Sequence, residues 1–261
     1  SYGSAEETFG QIMKSSFAPY RDELFISTKA GHDMWPGPYG NWGSRKHLMA
    51  SLDQSLKRMN LDYVDVFYSH RYDPDTPLEE TLQALVDIVR KGKALYVGLS
   101  KYPLDAYLLA CHYLRERDVP CLLYQGRYSM LVREPESQGI LNAVKENGSG
   151  FVAFSPLAQG LLTNRYLNGI PDDSRIARGG FLKKEAFTPE VLSKIQALNE
   201  RAAMRGQSLA EMALAWLLKN ETVTSVTVGA SSVEQLGDSL KTLNHLSFEE
   251  EELHAIEKIL M

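Results

Sequence analysis

Five polar residues stand at the carboxyl ends of separate apolar segments that the sequence predicts as β-strands. They are Lys29, His70, Ser100, Gln125 and Ser155. Taken singly each is ordinary, since a strand-end lysine is usually solvated and a serine or glutamine there commonly caps a turn. Because the carboxyl ends of parallel strands converge on one mouth, five such residues together favour a site at that mouth.

Tyr2 adds a candidate proton donor to this set of residues. A tyrosine can act as a general acid when its pKa falls toward neutrality, and an ammonium such as that of Lys29 lowers it by stabilising the phenolate. A neutral histidine such as His70 can orient a carbonyl oxygen. The set therefore indicates proton donation to a developing alkoxide.

The electrons for such a reaction need a separate source. The candidate residues include no metal-ligand cluster and no nucleophile pair, so an organic hydride donor is favoured and no metal is expected. Ser100, Gln125 and the Tyr128 ring are suited to bind a carboxamide and stack on a nicotinamide.

Short apolar runs alternate with amphipathic ones along the chain. Strands are predicted at Leu24–Thr28, Val64–Ser69, Ala94–Leu99, Cys121–Tyr124, Gly150–Phe154 and Ser225–Val228. Helices are predicted near 4–17, 44–58, 78–91, 103–117, 136–147, 190–205, 208–219, 232–242 and 248–260, the first with a capping box of Ser4 and Glu7. Continuous apolar strands that alternate with helices are typical of a parallel sheet, either doubly wound or closed as a barrel. No glycine-rich turn follows the first strand, so a Rossmann-type cofactor site has no support. No linker divides residues 1–261, so one domain is predicted.

The composition is that of an ordinary globular protein. The 261 residues are 44% hydrophobic and 23% charged, with a net charge of −5. This balance and the lack of a basic stripe argue against nucleic acid or an anionic membrane as a partner. Two isolated cysteines, Cys111 and Cys121, together with the lack of a transmembrane or signal segment, predict a cytoplasmic protein with buried thiols.

Several segments together resemble the aldo-keto reductase superfamily. They are ELFISTKAG, LDYVDVFYSHR, GKALYVGLS, FSPLAQGLLTNRYLNG and TVGASSVEQL. The stretch MWPGPYG at 34–40 most resembles the bacterial glyceraldehyde 3-phosphate reductase branch, which is related to potassium-channel β-subunits. The resemblance implies a (β/α)8 TIM barrel, NADPH as hydride donor, and reduction of small aldehydes or ketones to alcohols. Glyceraldehyde 3-phosphate and methylglyoxal are the substrates it suggests.

The resemblance also assigns roles by position. Tyr2 matches the family's proton donor, Lys29 the lysine that lowers its pKa, and His70 the histidine that orients the carbonyl. The cofactor-binding positions are Ser100, Gln125, Tyr128, Ser155, Leu157, Gln159, Gly160, Arg165, Arg175, Gly229, Ser231, Gln235 and Asp238. Trp35, Tyr39 and Trp42 are expected either to shape the substrate pocket or to pack their own loop. Arg71 could face a substrate phosphate, although a surface salt bridge is the favoured interpretation.

The sequence also departs from the family pattern. The first strand, the first helix, the second strand and the family's catalytic aspartate have no counterpart here, so an N-terminally incomplete barrel is expected. Ser232 and Ser239 stand where close relatives often have arginine and asparagine. Both changes remove contacts near the adenosine ribose, so NADH is not excluded as a cofactor.

Two alternatives to the reductase are open. One is a cofactor-binding regulatory subunit like the channel β-subunits, but these generally carry asparagine at the position of His70, which favours the enzyme. The other is a catalytically inactive fragment. The resemblance further implies a homo-oligomer.

Overall fold

A computed structural model of the protein describes residues 2–172, 179 and 184–261. The helices are α1 (Ser4–Ile12), α2 (Arg45–Met59), α3 (Leu78–Arg90), α4 (Leu104–Arg115), α5 (Glu134–Ser137), α6 (Ile140–Glu146), α7 (Pro189–Met204), α8 (Leu209–Leu218), α9 (Val233–Lys241) and α10 (Glu250–Leu260). The strands are β1 (Ser27–Ala30), β2 (Val64–Ser69), β3 (Ala94–Ser100), β4 (Cys121–Arg127), β5 (Gly150–Phe154) and β6 (Val223–Val226). Arg175 lies outside the described residues.

The first of two compact units comprises Ser1–Gln125 and Gly139–Gly150. Its strands pair in parallel and in chain order, β1 with β2, β2 with β3 and β3 with β4. The register aligns their carboxyl ends, with Ala30 opposite Ser69 and Ser100 opposite Gln125. The residues that follow these ends are therefore presented along one edge of the sheet.

The core of the first unit explains the apolar strand pattern. All six residues of β2 are buried. Helix α2 contributes Leu48 and Leu52, and α3 contributes Leu85 and Ile88, all without exposed surface. A strand buried on both faces has no solvent-facing side, which is why β2 is mostly apolar in sequence, with Asp65 and Ser69 as its polar residues.

The second unit comprises Gly126–Gln138 and Phe151–Met261. Strands β5 and β6 pair in parallel, and α8 is buried along most of its length, including Trp216. Helix α8 begins with a reciprocal capping box of Ser208 and Glu211. Such a box satisfies backbone donors at the helix start, so this apolar helix is anchored where it enters the core.

The parallel pairing and the alternation of strands with helices confirm the predicted α/β class. The described residues supply six parallel strands, as predicted, and the pattern is that of a (β/α)8 fold. None of the described helices has both the length and the apolar character needed to cross a bilayer.

Several local predictions were wrong. Strand β4 ends at Arg127, three residues later than predicted, and β6 begins at Val223, two residues earlier than predicted. Strand β1 begins at Ser27, three residues later than predicted, because the carboxylate of Asp65 binds the Ile26 N–H at 2.7 Å. Helix α1 has no side-chain cap, since Gly3 occupies the N-cap with φ +106°. The helix predicted at 136–147 is two helices, separated where Gly139 takes φ +75°.

Candidate active site

Lys29 and Gln125 meet at the carboxyl ends of β1 and β4. The Lys29 Nζ donates a 2.6 Å hydrogen bond to Gln125 Oε1, although the two residues are 96 positions apart. Lys29 is an exposed residue by surface area, yet burial of its ammonium and the nearby charge of Lys101 lower its pKa from the ordinary value. Because its carbonyl oxygen accepts from Lys29, the Gln125 amide is oriented with its nitrogen as a donor.

His70 follows β2 directly and is fixed by its backbone. Its N–H donates to the Ala30 carbonyl at 2.8 Å, and its ring lies edge-on to His32 with the centroids 4.4 Å apart. Burial lowers the pKa of His70 to about 3, and the charges of Lys29, His32, Lys101 and Arg71 act in the same direction. The imidazole is therefore neutral at physiological pH and can donate a hydrogen bond from one ring nitrogen.

The surroundings of His70 are strongly cationic. Burial lowers the pKa of Lys101 and of His32, and the guanidinium of Arg71 lowers both further. Asp33 opposes this effect at His32 by raising its pKa. Positive charge accumulated at strand ends can stabilise an oxyanion that develops there.

Ser100 ends β3 and carries an unsatisfied polar group. The residue has no exposed surface, and its hydroxyl has no hydrogen-bond partner among the described residues. The next residue, Lys101, donates its N–H to the Gln125 carbonyl at 3.2 Å, which ties β3 to β4 at this edge. A buried hydroxyl without a partner costs free energy unless a ligand satisfies it. With the Gln125 amide, Ser100 thus fits the carboxamide of a nicotinamide.

Tyr2 is an exposed residue at the start of the first helix. It immediately precedes the α1 N-cap, has φ +41°, and its side chain is 72% exposed. No contact links its hydroxyl to Lys29 or His70 within the described part of the chain, where the ammonium of Lys29 is bound to Gln125 instead. Its role as proton donor stays a prediction.

The aromatic residues of the loop at 31–43 divide into two groups. Trp35 packs against the His47 ring at 5.1 Å between centroids, and the Tyr39 carbonyl lies 2.9 Å from His47 Nδ1. These contacts pack the loop onto α2. Trp42 instead lies under Arg71, whose guanidinium carbon is 3.5 Å from the ring centroid.

Tyr128 belongs to the second unit and is buried there. Its hydroxyl donates to Glu136 at 2.5 Å, and its ring contacts Phe151 and Trp216. Its predicted stacking on a nicotinamide stays a prediction, since both described ring neighbours are aromatic core residues.

The predicted pyrophosphate loop follows β5. Ser155, Ala158 and Gln159 all take positive φ, at +53°, +47° and +61°, and Gly160 takes +104°. Three non-glycine residues in this region are rare and are retained where the surrounding structure demands them. The segment, which includes Leu157, is therefore a tight, unusual turn. Arg165 lies just beyond it in a 3-10 turn, Asn164–Tyr166.

The predicted adenosine-binding residues surround the start of α9. Ser231 donates to Gln235 Oε1 at 2.9 Å from both its backbone nitrogen and its hydroxyl. Ser232 caps the helix by accepting from the Gln235 N–H. Asp238 pairs with Lys241 at 2.7 Å. A Cβ atom added at Gly229 would meet no other atom within 4 Å. Ser231 and Gln235 thus meet at the exposed start of α9, whereas Asp238 lies further along that helix.

His32 and Lys101 are the site residues that sequence reasoning missed. Lys101 directly follows the strand-end Ser100, so its position was a usable signal. His32 lies in the loop after β1, and only the folded loop places it against His70.

Comparison with known proteins places these residues in a family. The model of the aldo/keto reductase family matches residues 1–261. The chain is 55% identical to L-glyceraldehyde 3-phosphate reductase of Escherichia coli O157:H7 over 261 residues, which is 98% of this chain and 75% of that protein. It is 36% identical to a probable voltage-gated potassium channel subunit beta of Arabidopsis thaliana over 248 residues, 93% of this chain and 74% of that protein. The chain therefore belongs to the aldo/keto reductase family, a family of oxidoreductases.

Proposed function

We propose that the protein reduces small aldehydes to alcohols, with NADPH as the hydride donor. The observation that carries the proposal is the neutral His70 beside the Lys29–Gln125 pair at the strand ends. The family match and the name of the 55% identical relative give the direction of the chemistry. That name also makes L-glyceraldehyde 3-phosphate the first substrate to test.

Ser100 and Gln125 are proposed to hold the nicotinamide end of the cofactor. The Ser100 hydroxyl is buried without a partner, and the amide nitrogen of Gln125 is oriented as a donor because its oxygen accepts from Lys29. When bound, a reduced nicotinamide supplies the hydride. The adenosine end is assigned to the start of α9, where Ser231 and Gln235 are already hydrogen-bonded to each other.

His70 orients the carbonyl in this proposal but does not protonate it. With a pKa of about 3 the ring carries only one proton at neutral pH, so it donates a hydrogen bond and has no second proton to give. The cations around it favour negative charge on the oxygen as the hydride arrives. A separate acid must then protonate the oxygen to give the alcohol.

Tyr2 is proposed as that acid, by the resemblance of its position to the family's proton donor. An ammonium near a phenol favours the phenolate and so lowers the phenol pKa, which is the task assigned to Lys29. Such general acids contribute about a hundredfold to ten-thousandfold to the rate.

The test compares two tyrosine variants with the unaltered protein. We expect Tyr2→Phe to lower kcat for NADPH-dependent reduction of glyceraldehyde 3-phosphate by about a hundredfold or more. Tyr20→Phe is the matched control, because Tyr20 is also an exposed tyrosine near α1 and has no assigned role. Equal activity of both variants would exclude Tyr2 as the acid. NADPH binding without turnover of any aldehyde by the unaltered protein would favour the regulatory-subunit alternative.

A further inference from the structure

We infer that Arg71, together with Lys101 and His32, forms a subsite for a phosphate group on the aldehyde substrate, an assignment that rests on the proposed function. The subsite adjoins His70, so one small molecule would place its carbonyl at His70 and its phosphate at Arg71. The substrate class is then a short phosphorylated aldehyde.

Among the described residues, Arg71 is held by uncharged groups. Its Nε donates to the Gly31 carbonyl and its Nη2 to Asn41 Oδ1, both at 2.7 Å, while the Trp42 ring lies against the guanidinium at 3.5 Å. None of the ion pairs among residues 2–172, 179 and 184–261 includes Arg71. The surface salt bridge favoured for Arg71 is therefore not found among these described residues.

Two other arginines of the same unit are paired with carboxylates. Arg21 pairs with Asp65 at 3.1 Å and Arg58 with Glu6 at 2.8 Å, each with the side chain mostly buried. Arg71 is also half-buried, yet within the described part of the chain it has no acidic partner. A guanidinium that is oriented but not neutralised is prepared for an anion.

The loop after β1 is built around Arg71. Asn41 Oδ1 accepts from Arg71 and also from the Trp42 N–H at 2.8 Å. Trp42 has φ +68°, which is rare for a bulky residue, and Gly31 has φ +144°. Backbone conformations of this kind persist where a site requires them. The strain here keeps Trp42 against the guanidinium.

The charges near Arg71 are almost all positive. Arg71 and Lys101 both lower the pKa of His32, and Arg71 lowers that of Lys101. Asp33 is the acidic side chain that counters them at His32. The next carboxylate after β2, Asp73, is committed elsewhere, because it accepts from the Gly43 N–H at 2.8 Å and the Thr76 hydroxyl at 2.7 Å. Like charges held close together repel, and a bound phosphate would relieve that repulsion.

The experiment measures kcat/KM for glyceraldehyde 3-phosphate and for glyceraldehyde, which lacks the phosphate. The ratio of the two values should fall by about tenfold to a hundredfold in Arg71→Gln, the effect of losing a charge-assisted hydrogen bond. Arg71→Lys should give an intermediate ratio, because it keeps the charge without the two-pronged geometry. Arg90→Gln on α3 is the matched control, since Arg90 is an exposed arginine of the same unit.

A second measurement needs no variant. Inorganic phosphate should inhibit the unaltered protein competitively against glyceraldehyde 3-phosphate. Inhibition that is competitive only against NADPH would place the phosphate site on the cofactor and overturn the inference. An unchanged substrate ratio in Arg71→Gln would overturn it as well. If the unaltered protein oxidises NADPH with neither aldehyde, the proposed function itself is wrong. This result differs from an unchanged substrate ratio, which would contradict the phosphate subsite alone.

Discussion

His70 is the residue whose ionisation the site controls most strongly. Burial lowers its pKa to about 3, and Lys29, His32, Lys101 and Arg71 act in the same direction. In the unfolded chain the same imidazole would titrate near 6.5. The folded protein therefore uses this side chain as a neutral hydrogen-bond donor, and its environment prevents it from acting as an acid.

The neutrality of His70 predicts an NMR titration result. In histidine-labelled protein, the His70 ring signal should keep neutral-imidazole shifts as the pH is lowered from 8 through about 5, and a His70→Gln variant identifies that signal. Because the folded pKa is below the unfolded one, acidification from about 6.5 toward about 3 should also weaken folding through this residue. Titration of the His70 signal near pH 6.5 would contradict the assigned environment.

Strand β1 shows how one distant side chain sets the bounds of an element. The Asp65 carboxylate lies at the start of β2 and accepts from the Ile26 N–H at 2.7 Å and from Arg21 at 3.1 Å. The Asp65 and Ile26 backbones are also joined by a 2.8 Å hydrogen bond. The chain before Ser27 is thereby held by a carboxylate and not by a regular strand ladder.

The role of Asp65 predicts a large loss of stability on its removal. Asp65→Ala should lower the free energy of unfolding by about 3 kcal/mol, because it leaves the mostly buried Arg21 charge without its partner. Asp53→Ala is the matched control. Asp53 is exposed and its partner Lys93 is partly exposed, so a change under about 1 kcal/mol is expected. Urea unfolding of both variants checks this, and equal losses would contradict the structural role of Asp65.

The same elements show what the sequence could and could not predict. Strand β2 occurs at the predicted Val64–Ser69 because its mostly apolar pattern is local in the sequence. The late start of β1 depends on Asp65, 39 positions after Ile26, which no local pattern contains. In the site, the position of Lys29 and Gln125 at strand ends was readable from the pattern. The approach of His32 to His70 depends on the backbone conformation of the loop that begins at Gly31. The spacing of apolar residues does not predict that conformation.

The whole molecule carries a negative net charge, whereas the charge around the candidate site is positive. The protein carries a net charge of −5, whereas Lys29, Arg71 and Lys101 gather near His70 in its first unit. A cationic site on an anionic protein concentrates small anions locally while the rest of the surface repels them. This contrast agrees with a reductase that acts on small phosphorylated aldehydes.

The most direct test of the central claim follows the hydride itself. Purified protein is incubated with glyceraldehyde 3-phosphate and with NADPH that carries deuterium at the transferred position of the nicotinamide ring. Mass spectrometry of the alcohol then gives its isotopic content. Hydride transfer from NADPH predicts an alcohol with one deuterium on the former carbonyl carbon. An unlabelled alcohol, or no alcohol, would contradict the proposed NADPH-dependent reduction.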